Sequence, residues 1–198
     1  MNLFPAFLKL SGRRCLVVGA GRIAQEKIEG LIRAGADVRV VAPRATPGIR
    51  SLARAGKVRW ETRKFRASDL SGVFLLVAAT SSAKLHEGIY KRARKEGVLC
   101  NVVDDPPNCD FYYGSVVQRG PLQIAISTCG HSPALAQRIR KQLERQFRPE
   151  YERWTEELGR AREALFAKRM DAKRRKRLLH RLATEQSFEA FLRKRRLD

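Results

Sequence analysis

Apolar residues fall along this 198-residue chain in two rhythms, one continuous and one helical. Cys15, Leu16, Val17 and Val18 form an unbroken run, followed by Gly19-Ala20-Gly21 and then by Ile28, Leu31 and Ile32 on one helical face. This predicts a strand buried on both sides, a tight turn and an amphipathic helix, with Gly35 as its C-cap. Val38–Ala42, Val58-Arg59-Trp60, Phe74–Ala79 and Leu99–Val103 repeat the strand pattern. Between the last two, a helix is predicted from Ala83 to Lys95, N-capped by Ser81 or Ser82 and basic on its outer face. Strands alternating with helices predict a doubly wound parallel sheet. The apolar lead-in Asn2–Leu10 is expected to lie extended against the sheet edge.

Beyond Asp104-Asp105-Pro106-Pro107 the alternation stops. Gly114–Gln118 and Leu122–Ser127 flank Arg119-Gly120-Pro121 and read as a β-hairpin. Ser132 and Pro133 then supply an N-cap and a first helical residue. After Pro149, Tyr151, Trp154, Leu158, Ala161 and Leu165 make a narrow apolar stripe suited to packing on a neighbouring helix. The expected fold is therefore α/β. A Rossmann-like domain spans 1–113, a hairpin-and-helix region 114–147 and a basic helical domain 148–198.

Apolar residues make up 43% of the chain, enough for a core. No apolar run reaches membrane-spanning length, and Met1–Leu10 lacks the core of a signal peptide. Cys15, Cys100, Cys109 and Cys129 are scattered without a C-x-x-C pair, which reads as reduced thiols in a cytoplasmic protein, with no disulfide framework or metal site. Lys and Arg outnumber Asp and Glu by 41 to 20, a formal charge of +21. Such an excess points to an anionic partner: nucleic acid, an anionic membrane surface or a polyanionic small molecule. The basic runs at Lys173–Arg177 and Arg193–Arg196 carry no interleaved aromatics, which disfavours single-stranded nucleic acid.

The chemistry concentrates at strand ends. Gly19-x-Gly21-x-x-Ala24, between a strand and a helix, is the dinucleotide pattern. Gly19 permits the turn, Gly21 lets backbone approach a pyrophosphate, and Ala24 lets the helix pack close. Arg22 and Ile23 open the helix whose N-terminus would face the phosphates. An acid usually holds the ribose about 20 residues further on, but here the second strand ends Val41-Ala42-Pro43-Arg44. Either the backbone at Pro43 and Arg44 holds the adenosine or Arg44 favours a 2′-phosphate, so residues alone leave NAD and NADP open. Thr80, at the end of the fourth strand, is placed to hydrogen-bond a cofactor. Asp104, the first residue off the fifth strand, is a candidate acid/base, whereas Asp105 before Pro106 reads as a turn former. Ser132 opens a second helix able to take an anion, with His131 beside it. His86 and His180 have no evident partners and receive no role.

Taken in order, Leu3-Phe4-Pro5, VVGAGRIA at 17–24, VAATSS at 77–82, CNVVDDP at 100–106 and GPLQIAISTCGHSPALAQRIR at 120–140 resemble the precorrin-2 dehydrogenase module of sirohaem synthesis. The resemblance spans about residues 1–147 and continues more loosely into the tail. It implies oxidation of precorrin-2 to sirohydrochlorin with NAD as hydride acceptor. Asp104 would be the acid/base, and Gly19, Gly21, Arg22, Ile23, Pro43, Arg44 and Thr80 would contact the nucleotide. It also implies a homodimer built through residues 114–147, a tail that helps enclose the tetrapyrrole, and a polycarboxylate substrate that gives the basic charge a purpose. Some members also insert ferrous iron; for that step Asp104 and His131 are the candidates. No methyltransferase domain is expected here. The competing reading is an NAD(H)-sensing regulator that reaches nucleic acid through its basic tail, which predicts salt-sensitive DNA binding responsive to NADH.

Overall fold

The computed structural model describes residues 3–194. β1 (Arg14–Val18), β2 (Asp37–Val41), β3 (Arg59–Glu61), β4 (Leu75–Ala78) and β5 (Leu99–Val102) form a parallel sheet in the order β3-β2-β1-β4-β5. The chain reverses its direction of growth between β1 and β4, the switch point at which open sheets of this kind leave a crevice.

Alternate strand residues divide the core between the two faces. Cys15, Val17, Val38, Val40, Leu75 and Val77 pack under α1 (Arg22–Arg33) and α2 (Pro47–Arg54), which contribute Ala24, Ile28, Leu31 and Ile49. Leu16, Val18, Val41, Leu76, Ala78 and Cys100 pack under α3 (Ala83–Lys95), which contributes Ile89 and Ala93. Burial on both faces is why these strands read as continuous apolar runs. Each fully buried side chain of the size of Leu16 or Ile28 contributes about 1.5–3 kcal/mol.

Several sequence expectations need correction. The lead-in does not pack on the sheet edge: it forms no strand, and Phe4, Phe7 and Leu8 are exposed. Among its described residues only Leu10 is buried, packed into the core on the α1 side of the sheet, and the Arg13 N–H closes a turn on the Leu10 carbonyl just before β1. Gly35 stands one residue beyond the C-cap, Ala34, with φ +74°. α2 was not expected, although Thr46 caps it by accepting the Ile49 N–H and Pro47 opens it. Helix α3 forms as expected, and of its two candidate caps Ser82 takes the role.

Two compact units divide the chain between Tyr113 and Gly114. In the second, β6 (Ser115–Arg119) and β7 (Leu122–Ile126) form the hairpin, and α4 (Pro133–Gln146) is capped by Ser132. Arg119 donates to the Phe147 and Glu144 carbonyls at 2.8 and 3.0 Å and so satisfies the end of α4. α5 (Tyr151–Ala167), α6 (Ala172–Leu182) and α7 (Glu185–Lys194) follow. The α5 stripe is half-buried, and Tyr151 and Trp154 meet Phe188 at ring distances of 4.3 and 4.9 Å. Of the final basic run, Arg195 and Arg196 lie outside the described residues.

Candidate dinucleotide site

A cleft of about 1080 Å³ opens at the carboxyl ends of the strands. Gly19, Gly21, Arg22, Ile23, Pro43, Arg44, Thr80 and Asp104 all line it. Eight candidates scattered over 86 positions thus share one surface because four parallel strands end there. Its charged lining residues are Arg22, Arg44, Lys64 and Asp104, an excess of positive charge suited to an anionic ligand.

The floor is fixed by backbone. The Gly19 N–H donates to the Val41 carbonyl at 3.0 Å, and the Thr46 N–H to the Ala20 carbonyl at 3.0 Å. The Thr46 hydroxyl donates to Gln25 Oε1 on α1 at 2.7 Å, joining the start of α2 to the glycine turn. Gly19 takes φ +106°, a region that favours glycine.

The cradle suits a pyrophosphate. Gly21 has φ −80°, so conformation does not demand glycine; a Cβ built there meets no atom within 4 Å. That open space in front of the turn is room a side chain would fill. Gly21 is also the N-cap of α1, with no side-chain cap and no acid in the first helical turn. The helix therefore presents backbone donors and its positive end to the cleft.

The opposite wall carries Thr80 and Asp104. The Thr80 side chain is anchored from behind by His86, buried on α3 with Nε2 2.9 Å from the hydroxyl oxygen. His86, expected to stand without a partner, is thus paired with Thr80. Asp104 is exposed and takes φ 60°, at the third position of a turn that the Asp105 N–H closes on the Val102 carbonyl. Asp tolerates a positive φ at that position better than most residues. Asp105 itself caps the short 3₁₀ turn Pro106–Asn108 and receives the Asn108 side-chain amide at 2.8 Å. Lys27 on α1 sits 3.9 Å over the Tyr113 ring. Burial lowers its pKa, while the Glu26 and Asp104 carboxylates oppose that shift.

Lys64 and Phe65, which follow β3, also line the cleft. Their neighbour Arg63 turns instead into an ion-pair network. It donates to both oxygens of buried Asp69, at 2.6 and 2.9 Å, and also pairs with Glu61. Arg39 joins Glu61 to the Asp69 carboxylate at 3.3 and 3.6 Å. Ser132 and His131 lie in the second unit, at the start of α4. The Ser132 hydroxyl is taken by the Leu135 N–H, and the His131 side chain is exposed. Among the described residues no cluster of three or more His, Cys, Asp or Glu is arranged to hold a metal ion, and no helix is long and apolar enough to cross a membrane.

Comparison with known proteins agrees with this geometry. Residues 6–115 match the family described as "Putative NAD(P)-binding", and residues 119–146 the family described as "Sirohaem biosynthesis protein central". The solved structure of SirC, a precorrin-2 dehydrogenase, superposes with a TM-score of 0.79 at 30% identity, covering 93% of this chain and 91% of that one. The chain belongs to the precorrin-2 dehydrogenase family. Within it, the siroheme synthase of Actinobacillus pleuropneumoniae serotype 3 is 37% identical over 189 residues, 96% of this chain and 39% of its own length. A siroheme synthase of Neisseria meningitidis serogroup B is 40% identical over 177 residues, 89% of this chain and 37% of its own. The chain thus spans about two-fifths of the length of these curated relatives. The match over residues 6–115 gives the unit that carries this cleft a cofactor of the NAD(P) type.

Proposed function

We propose that this chain is a precorrin-2 dehydrogenase that oxidises precorrin-2 to sirohydrochlorin. What carries the reading is one coincidence: Asp104, a carboxylate held at a strand tip in a left-handed conformation, lines the same cleft as the glycine turn. When bound, NAD supplies the hydride acceptor. The residues of the chain do the rest. Gly19 shapes the turn, and Gly21 with the α1 N-terminus at Arg22 and Ile23 holds the pyrophosphate. Pro43 and Arg44 flank the adenosine, and Thr80 offers a hydrogen bond at the switch point. Asp104 takes the proton lost as the hydride leaves the substrate. The basic surface attracts a tetrapyrrole polycarboxylate, and Ser132 and His131 at the start of α4 are assigned to its acid groups. The chain acts as a homodimer, through the hairpin-and-helix region 114–147, in the cytoplasm.

The decisive experiment is anaerobic incubation of the purified protein with precorrin-2 and NAD or NADP, following sirohydrochlorin and reduced-cofactor absorbance. Turnover with NAD is the expected result. Folded protein that binds NADH yet turns nothing over would overturn the reading, and DNA binding responsive to NADH would then support the regulator instead. Ferrous iron added to the product tests whether the same chain also inserts metal.

A further inference from the structure

His86 is the one buried histidine among the described residues, 7% exposed, and its imidazole meets Thr80 twice. The Thr80 backbone N–H reaches Nε2 at 3.3 Å and the Thr80 hydroxyl oxygen stands 2.9 Å from the same atom. A backbone N–H can only donate, so Nε2 is an acceptor and the proton of the neutral ring sits on Nδ1. The hydroxyl, meeting that same acceptor, must donate as well. Its oxygen then has acceptor capacity only; the Ser82 N–H takes part of it at 3.3 Å, and the rest faces a cleft that Thr80 lines.

We infer that His86 is a positioning residue for the dinucleotide site: as its Nδ1–H tautomer it fixes Thr80 as an obligate hydrogen-bond acceptor. The ligand group opposite Thr80 must therefore carry an N–H or O–H, as a carboxamide or a ribose hydroxyl does. Without the imidazole acceptor the hydroxyl is free to rotate and to present its proton instead, and the Thr80 N–H loses its partner. This role rests on the dinucleotide reading of the cleft.

Two measurements test it. In the ligand-free protein, long-range ¹⁵N–¹H correlation of the histidine rings should show His86 protonated on Nδ1 alone. A ring protonated on Nε2 overturns the inference whatever the cofactor. Second, NADH affinity is read from nucleotide fluorescence in substituted proteins. His86→Phe keeps the ring volume but removes the acceptor, and should weaken NADH about tenfold. His86→Gln, whose amide oxygen replaces the acceptor, should recover most of that loss. Should His86→Phe not fold, Thr80→Val, which removes the hydroxyl and leaves the imidazole, carries the same tenfold expectation. Wild-type protein that binds no NADH sinks the dinucleotide reading and this role with it. Wild-type binding left unchanged by His86→Phe or Thr80→Val overturns the positioning role alone.

Discussion

Gly19 and Ala79 face each other across the ends of β1 and β4 so closely that a Cβ on Gly19 would stand 2.2 Å from the Ala79 carbonyl oxygen. The obstruction is backbone, and φ at Gly19 is +106°. Gly19→Ala therefore combines a steric clash with a disfavoured conformation and should cost on the order of 2–5 kcal/mol, measured by urea unfolding. Gly21→Ala meets neither problem. It should keep its stability within about 1 kcal/mol while NADH affinity falls at least about tenfold, as expected if the space before Gly21 holds phosphate. Equal losses of stability in the two variants would contradict this division.

Asp104 separates chemistry from binding. Asn also accepts a left-handed backbone, so Asp104→Asn should fold normally and bind NADH within about twofold of wild type. Its kcat on precorrin-2 should drop by about 10²–10⁴. Asp104→Ala should lose the same activity and, with φ held at 60°, about 1 kcal/mol of stability besides. Activity retained in Asp104→Asn would remove this residue from the reaction.

Asp69 links stability to acid. Hydrogen bonds from Arg63 hold its carboxyl below the ordinary range; burial opposes this, and the Arg66 N–H and the Arg63 and Arg39 charges add to the lowering. The unfolded chain therefore takes up this proton first as pH falls. The contribution is complete above the ordinary aspartate value of about 3.9 and is lost as pH drops through the folded value. Asp69→Asn should cost about 2 kcal/mol at pH 7, and the gap to wild type should narrow below about pH 4. A gap constant from pH 7 to 3 would show that packing, not charge, carries the effect.

The buried thiols should be silent in the native state. Burial, aided by the Asp37 carboxylate, raises Cys15 to about 11, with Arg13 opposing; burial, with Asp110 and Cys109 adding, raises Cys100 to about 12. At pH 8 the thiolate fraction at Cys15 is about one in a thousand, and both side chains are closed to solvent. Alkylation of the folded protein, located by peptide mass spectrometry, should reach partly exposed Cys129 well before Cys15 or Cys100. Rapid labelling of Cys15 in folded protein would contradict the buried sheet.

Much of the frame was legible from the chain itself, because its causes are local. Strands covered on both faces must be apolar at every position, so Cys15–Val18 and Leu75–Ala78 announce themselves. Caps act within one helical turn, which is why the α3 cap could be narrowed to Ser81 or Ser82 and Ser132-Pro133 could be read directly. Thr46-Pro47 carries the same local signature at the start of α2. Tertiary structure alone decided what depends on side chains distant in sequence or on how a loop folds back. The Arg39–Glu61–Arg63–Asp69 network spans 31 positions with no periodicity. Lys27 reaches Tyr113, and Trp60 donates to the Ala42 carbonyl, with nothing in spacing to announce either. His86 and Thr80 are only six residues apart, yet their contact exists because the chain leaves β4 and turns back into α3 over the strand end. The apolar lead-in shows the converse: hydrophobicity around Phe4 and Phe7 does not by itself secure burial, since burial needs a surface to pack on. Local chemistry thus fixed the strands, the glycine turn and most caps, while the geometry of convergence, four strand ends meeting at one switch point, made separate residues into a site.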